Sequence, residues 1–184
     1  MGRLILEQIV SADGYAADAE GGIDYFGSVD RLNADDHDQL ALLETVDRIV
    51  LGRATYEMFA AYWPAADAEV ERVAVPIARL PKHVVSTTLD RAPWGDDEIG
   101  ILRDLDAVAE LRELDGSTIV WGSLDLADDL LRAGLVDVLR LRILPVLIGA
   151  GRSFTPGDLG ERRLAFHHAV EHPGGQVTLQ YEVR

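Results

Sequence analysis

Short apolar runs alternate with amphipathic stretches along the first two thirds of the chain. Brief runs rich in β-branched residues predict strands, and apolar positions that recur every three or four residues predict helices. The predicted strands are residues 4–10, 48–51, 83–87, 99–102 and 118–121, and the predicted helices are residues 34–47, 55–61, 66–78, 106–114 and 124–133. This alternation is typical of an α/β sheet.

The pattern changes after Gly134, which stands where a glycine commonly ends a helix. Only strands are predicted beyond it, over residues 136–144, 146–148, 164–170 and 176–183, with Pro-Gly turns between them. Such neighbouring strands favour antiparallel pairing. The sequence therefore predicts one mixed sheet with helices on both faces, in a single domain over residues 1–184.

Composition narrows the class of protein. The 184 residues hold 17 Lys and Arg against 32 Asp and Glu, a formal charge of −15, which argues against a nucleic-acid partner. There is no cysteine, which excludes disulfides and agrees with a reducing compartment. No signal peptide and no apolar run of about 20 residues is found, so we expect a cytoplasmic protein without a membrane partner.

Two glycines mark points where a predicted strand passes into a helix. The first junction is Gly52-Arg53-Ala54-Thr55, and the second is Gly122-Ser123. Ligands of open α/β sheets bind at the carboxyl ends of strands, where glycine permits close approach and a helix start offers free N–H groups. The Arg53 guanidinium could also hold a phosphate in a bidentate contact. An ordinary turn would use the same residues.

The second junction allows two interpretations. Ser123 is suited to cap the following helix, or to hold a diphosphate together with the helix amides. Asp125 would repel a diphosphate unless it points away. Neither G-x-G-x-x-G after the first strand nor a P-loop is present, and no spacing typical of metal ligands occurs, so no metal is expected.

Five segments carry a resemblance to a known family. They are LILEQIVSADGYAA, IVLGRATYEMFAAYWP, HVVSTTL, IVWGSLDLADDLL and LRLRILPVLIGAGRSF, which together span nearly the whole chain. In this order they resemble the dihydrofolate-reductase-like superfamily, and within it the C-terminal reductase domain of the bifunctional riboflavin-biosynthesis deaminase-reductase. The resemblance implies a three-layer α/β fold with a mixed, mostly parallel central sheet and antiparallel C-terminal strands.

The same resemblance implies an NADPH-dependent reductase. Its substrate would be a small heterocycle or a carbonyl or imine compound, similar to that of 5-amino-6-(5-phosphoribosylamino)uracil reductase. Three sets of residues would bind the cofactor: Gly52, Arg53 and Thr55 at its phosphates, Ser86, Thr87 and Thr88 along its adenosine, and Gly122, Ser123, Leu124 and Asp125 at its diphosphate. The protein would supply position, a dry site and a proton source.

Asp13 and Asp24 are the candidate proton donors near the nicotinamide. Aspartates in such turns often only accept backbone N–H bonds. If either residue donates a proton, burial must raise its pKa toward neutrality. Tyr56 and Trp63 are candidates for the wall of the substrate pocket, although core packing would explain them equally well.

Other readings stay open. The chain could be a dimeric nucleotide-binding or regulatory protein without turnover, or a dihydrofolate reductase. For the latter, the acidic residue that grips a pterin cannot be placed, because Asp35, Asp36 and Asp38 look like solvent-facing charges at a helix start. The apolar residues 136–148 are expected to form the interface of a homodimer.

Overall fold

The structure is a computed structural model that describes residues 2–28 and 37–184. Its centre is an eight-stranded sheet in the order β11-β12-β9-β1-β8-β3-β4-β7. These strands are β1 (Arg3–Ser11), β3 (Arg48–Gly52), β4 (Lys82–Val85), β7 (Gly100–Leu102), β8 (Ser117–Trp121), β9 (Val138–Leu144), β11 (Leu164–Glu171) and β12 (Val177–Val183). The six strands from β9 to β7 are parallel, and β12 and β11 add antiparallel pairs at the end. This confirms the predicted fold class.

Helices cover both faces of the sheet. On one face lie α1 (His37–Leu43), α2 (Arg53–Tyr62) and α3 (Ala74–Arg79), which pack over Ile49, Leu51 and Ile119. On the other face lie α4 (Leu105–Glu113) and α5 (Leu124–Arg132), which pack over Val50 and Val120. Because the central strands are covered on both sides, their sequences are continuously apolar instead of alternating.

The predicted helix over residues 66–78 is wrong in its first half. The backbone oxygen of Asp67 accepts N–H bonds from Val70 and Glu71, which closes a turn instead. The helix begins only at Ala74. Pro76 therefore lies in the first turn of α3, where the missing N–H costs no intrahelical bond.

The predicted strand over residues 146–148 is also wrong. Pro145 ends β9, and Leu147 is 74% exposed in an irregular loop. One bond from the Ala12 amide to the Val146 oxygen holds this loop against the turn after β1. Proline removes a ladder donor, which is why regular pairing stops here.

Two small ladders were not predicted. One pairs β2 (Tyr15–Ala17) with β10 (Arg152–Ser153), and the other pairs β5 (Pro93–Trp94) with β6 (Asp97–Glu98). Short 3₁₀ helices lie at Asp24–Ser28, after β2, and at Trp63–Ala65, directly after α2. The first residues of the helix predicted over residues 34–47 lie outside the described residues. Among the described residues, no helix is long and apolar enough to cross a membrane.

Candidate nucleotide-binding cleft

The two glycine junctions meet at one edge of the sheet. The Gly52 amide donates to the Ser123 Oγ at 2.8 Å, and the Ser123 amide donates to the Thr55 Oγ1 at 2.9 Å. Each junction therefore supplies a hydroxyl that satisfies a backbone donor of the other. This follows from the parallel arrangement, which brings the carboxyl ends of β3 and β8 together. We call this paired edge, Gly52–Thr55 with Gly122–Asp125, the junction rim.

Close backbone approach explains both glycines of the rim. Gly122 has φ of +51°, and a Cβ there would lie 3.4 Å from the Thr55 Oγ1. A Cβ at Gly52 would lie 3.1 Å from the Ser123 Cβ, which is tighter than ordinary packing. A side chain at Gly52 would therefore crowd the other junction, and one at Gly122 would have to adopt a left-handed backbone that favours glycine.

Ser123 does not cap α5 with its side chain, contrary to one of the two interpretations of the sequence. Its backbone is left-handed, with φ of +55°, and its Oγ donates to the Trp121 oxygen at 2.7 Å. The hydroxyl instead joins β8 to β3 through the Gly52 amide. The first amides of α5 thus have no side-chain cap from Ser123, and such amides form a site for anions.

A cleft of about 1230 Å³ opens along the junction rim. Most of the predicted site residues line it: Asp24, Gly52, Arg53, Thr55, Trp63, Ser86, Thr87, Thr88, Gly122, Ser123, Leu124 and Asp125. The residues that line the cleft extend from the loop after β4 to the loop after β2. The cleft therefore joins residues that the sequence places far apart.

One end of the cleft is basic and rich in hydroxyls. The Arg53 Nη1 donates to the Thr88 Oγ1 at 2.8 Å, and its Nε donates to the Glu57 carboxylate at 2.8 Å. Arg103 also lines this end and donates to the Ser86 and Leu89 oxygens at 3.0 and 2.7 Å. Sequence reasoning missed Arg103, because it follows β7 and only the fold brings it beside β4.

The floor of the cleft contains a buried ionic network. The Glu7 carboxylate accepts from the Trp121 Nε1 at 2.9 Å and from the Arg140 Nε at 2.5 Å. Arg140 also contacts Asp38 on α1 and is 1% exposed. Sequence reasoning missed Glu7, although an acidic residue inside an otherwise apolar strand was the available signal.

The expectation that Asp38 faces solvent is wrong. Instead of facing solvent, its carboxylate pairs with Arg140, and His168 and His172 lie within 4.0 Å. The neighbouring candidates for a pterin-gripping acid, Asp35 and Asp36, lie outside the described residues.

Aromatic rings form the wall of the cleft beside the junction rim. The Phe59 ring centroid lies 5.9 Å from that of Trp63 and 6.0 Å from that of Trp121, and all three residues line the cleft. Tyr56, the other predicted wall residue, lies instead in the core, where its hydroxyl donates to the Pro93 oxygen. A planar ligand is suited to such an aromatic wall.

The two candidate proton donors occupy different places. Asp13 is exposed and does not line the cleft. Hydrogen bonding to the Ser11 side chain and to the Gly149 and Ile148 amides lowers the pKa of Asp13, the opposite of what a proton donor needs. Its carboxylate fastens the turn after β1 to the loop after β9. Asp24 lies on the cleft lining at the start of a 3₁₀ helix, but it is also exposed, so neither candidate has the burial expected of a proton donor.

The mixed sheet and its cleft at the carboxyl edge place the protein in the dihydrofolate-reductase-like class of α/β domains. Residues 3–177 match the family model of the RibD C-terminal domain, and the chain belongs to this family.

Three known proteins illustrate the relationship. The uncharacterized protein YyaP of Bacillus subtilis is 27% identical over 161 residues, covering 82% of this chain and 78% of that protein. A pyrimidine reductase-like protein from Corynebacterium diphtheriae shares the fold with a TM-score of 0.65 and 16% identity, covering 100% of this chain and 92% of that one. Dihydrofolate reductase from Enterococcus faecalis, solved with NADP(H), gives a TM-score of 0.64 and 16% identity over 100% and 97% of the two chains.

Proposed function

We propose that this protein is an NADPH-dependent reductase that transfers a hydride to a small heterocyclic or carbonyl or imine substrate. One observation carries the proposal: the two glycine junctions are hydrogen-bonded to each other along one rim of a large cleft. Membership of the RibD C-terminal domain family supports a reductase of this type. The pyrimidine of riboflavin biosynthesis, 5-amino-6-(5-phosphoribosylamino)uracil, is the model substrate.

The residues of the rim fit a dinucleotide. The two glycines add no side chain to the rim, and the starts of α2 and α5 present amides and partial positive charge. Gly52, Arg53 and Thr55 would hold phosphates, and the backbone of residues Gly122 to Asp125, without the Asp125 carboxylate, would hold the diphosphate. When bound, NADPH would supply the hydride, while the chain fixes its orientation.

The basic end of the cleft suits the 2′-phosphate that distinguishes NADPH from NADH. Arg53 and Arg103 bring two guanidinium groups beside the hydroxyls of Ser86 and Thr88. Guanidinium groups bind phosphate in bidentate fashion. We expect Arg103→Gln to weaken NADPH binding about tenfold and NADH binding less than twofold. Arg91→Gln, which removes an exposed partner of Glu98 outside the cleft lining, is the matched control.

The aromatic wall indicates where the substrate would lie. Phe59, Trp63 and Trp121 line the cleft next to the junction rim, so a flat heterocycle would pack against this wall beside the reacting end of the cofactor. The network of Glu7 and Arg140 holds the Trp121 indole through its Nε1. Asp24 is the proposed proton donor, because it lines the cleft and Asp13 does not.

The proposal is tested with the purified protein and NADPH. Quenching of tryptophan fluorescence measures cofactor binding, and loss of absorbance at the NADPH band measures turnover with pyrimidine, carbonyl, imine and dihydrofolate substrates. We expect binding in the micromolar range and turnover with at least one pyrimidine or imine compound. Asp24→Asn should lower kcat and leave NADPH affinity unchanged.

The outcomes separate the alternatives. NADPH binding without turnover across the panel would favour the non-catalytic nucleotide-binding protein, and turnover of dihydrofolate alone would favour a dihydrofolate reductase. A wild-type protein that binds no NADPH would contradict the proposal.

A second copy of this chain is the proposed partner. The interface expected over residues 136–148 is wrong for most of that segment, because Val136, Val138, Leu139 and Leu144 are buried within the chain. The outer strand β11 instead exposes Phe166 at 63% and Leu164 at 42%, and the Phe166 ring lies 6.0 Å from that of Tyr181 on β12. Exposed apolar surface of this kind marks interaction sites. Light scattering should give a dimeric mass for the wild type and a monomeric mass for Phe166→Glu. A monomeric wild type would contradict the dimer.

A further inference from the structure

The start of α5 carries fixed negative charge at the place proposed for the cofactor diphosphate. Asp125 and Asp128 both lie in the first turns of this helix, and Asp125 lines the cleft. A carboxylate near a helix N-terminus stabilises the free helix but competes with an anionic ligand for the same amides. With two carboxylates so close, the rim would repel a diphosphate unless another group balanced them.

Arg152 supplies that balance. Its Nη1 donates to the Asp125 Oδ1 at 2.7 Å, and its Nη2 donates to the Asp128 Oδ2 at 3.1 Å. The two carboxylates differ in environment, because the Asp125 side chain is 94% exposed and the Asp128 side chain only 15% exposed. The Asp128 Oδ1 is buried without a hydrogen-bond partner among the described residues, so this carboxylate depends on the Arg152 bond to its Oδ2 and on the nearby charge of Arg132.

The position of Arg152 is fixed from the other side of the cleft. It belongs to β10, which pairs with Ala17 of β2, and both Arg152 and Ala17 line the cleft. The guanidinium therefore connects the β2–β10 ladder to the first turn of α5. Its pair with the exposed Asp125 contributes little to stability, as surface ion pairs do, so the consequence of this contact lies in ligand binding.

We propose that Arg152 is a positioning residue that makes the acidic start of α5 accept the cofactor diphosphate, by neutralising Asp125 and Asp128 and holding the Asp125 carboxylate off the helix amides. This inference rests on the proposed function. The inference goes beyond the proposed function because Arg152 acts through the two aspartates and does not have to touch the cofactor. The rim thus depends on a residue that follows it by 27 positions in sequence.

The test is a double-mutant cycle on Arg152 and Asp125. Tryptophan quenching gives the Kd of NADPH, and competition gives the Kd of inorganic pyrophosphate as a probe of the diphosphate site alone. We expect Arg152→Gln to weaken both about tenfold at low salt, with a smaller deficit in 0.5 M NaCl because exposed charges are screened. Asp125→Asn alone should leave binding equal or slightly tighter. In Arg152→Gln the added Asp125→Asn should restore most of the lost affinity.

Thermal unfolding without nucleotide separates this role from a purely structural one. Arg152→Gln should lower the melting temperature, because Asp128 loses its partner, and the added Asp125→Asn should restore affinity without restoring the melting temperature. Arg3→Gln is the control: it breaks an exposed ion pair with Glu182 away from the cleft lining and should leave both Kd values unchanged.

Two results would overturn the inference while leaving the proposed function intact: unchanged binding in Arg152→Gln, or no recovery of affinity in the double variant. A wild-type protein that binds neither NADPH nor pyrophosphate would overturn both.

Discussion

Removal of the Arg140 guanidinium tests the buried network under the cleft. Arg140 is 1% exposed, and its Nε donates to the Glu7 carboxylate at 2.5 Å. Its Nη2 contacts Asp38, and its Nη1 reaches the Gln180 Oε1 at 3.4 Å. Arg140→Met keeps an unbranched side chain of similar length but leaves two largely buried carboxylates without a cation.

The expected loss follows from the cost of an uncompensated buried charge. Breaking a buried ion pair by removing one partner typically costs about 3–5 kcal/mol. For a chain of this length, each kcal/mol lowers the melting temperature by about 2–4 °C, so we expect a decrease of roughly 6–20 °C. Glu7 also accepts from the Trp121 Nε1, so the tryptophan emission should change even in the folded variant.

Urea unfolding followed by circular dichroism measures the change. Arg3→Met is the matched control. It removes the ion pair between Arg3 of β1 and Glu182 of β12, whose side chains are 50% and 39% exposed. Such an exposed pair is worth less than about 1 kcal/mol. Arg140→Lys keeps the charge but loses the fork that reaches both carboxylates, and should be intermediate. If Arg140→Met and Arg3→Met lost equally little, the network would not stabilise the fold.

Two further predictions concern other parts of the fold. Burial raises the pKa of Asp137, but the hydrogen bonds from Arg112 and the Leu4 amide and the charges of Arg112 and Arg3 together outweigh it, so the net shift is downward. The charge of Asp137 therefore stabilises the fold above its ordinary pKa, and this stability is lost as pH falls through the lowered value. In urea titrations, Asp137→Asn should lower the free energy of unfolding by about 1–2 kcal/mol at pH 7 and by progressively less below about pH 4. A Cβ at Gly151 would overlap the Ala17 oxygen, so Gly151→Ala should disrupt the β2–β10 ladder and expose its amides to hydrogen exchange. Gly157→Ala, which has open space around the Cβ and no positive φ, should keep the ladder's protection. Equal exchange in the two glycine variants would contradict this.

Local sequence patterns were sufficient to predict most strands of the sheet. The continuous apolar runs around Ile49 to Leu51 and Ile119 to Val120 predicted buried strands, and the glycine after each run predicted a junction. These signals are reliable because strand burial and backbone freedom depend on neighbouring residues. Two predictions were wrong because a competing local bond or a proline determines the backbone there. The Asp67 oxygen closes a turn before α3, and Pro145 ends β9.

The chain by itself predicted the class of fold, the two glycine junctions and a set of site residues most of which line the cleft. Only the tertiary structure decided what these residues do together: Ser123 bonds to Gly52 and not to its own helix, Arg103 joins Arg53, and Arg152 pairs with Asp125. The physical reason is distance along the chain. Hydrophobic period and turn chemistry act over a few residues, whereas charge balance and hydroxyl partners depend on which strand ends the sheet brings side by side.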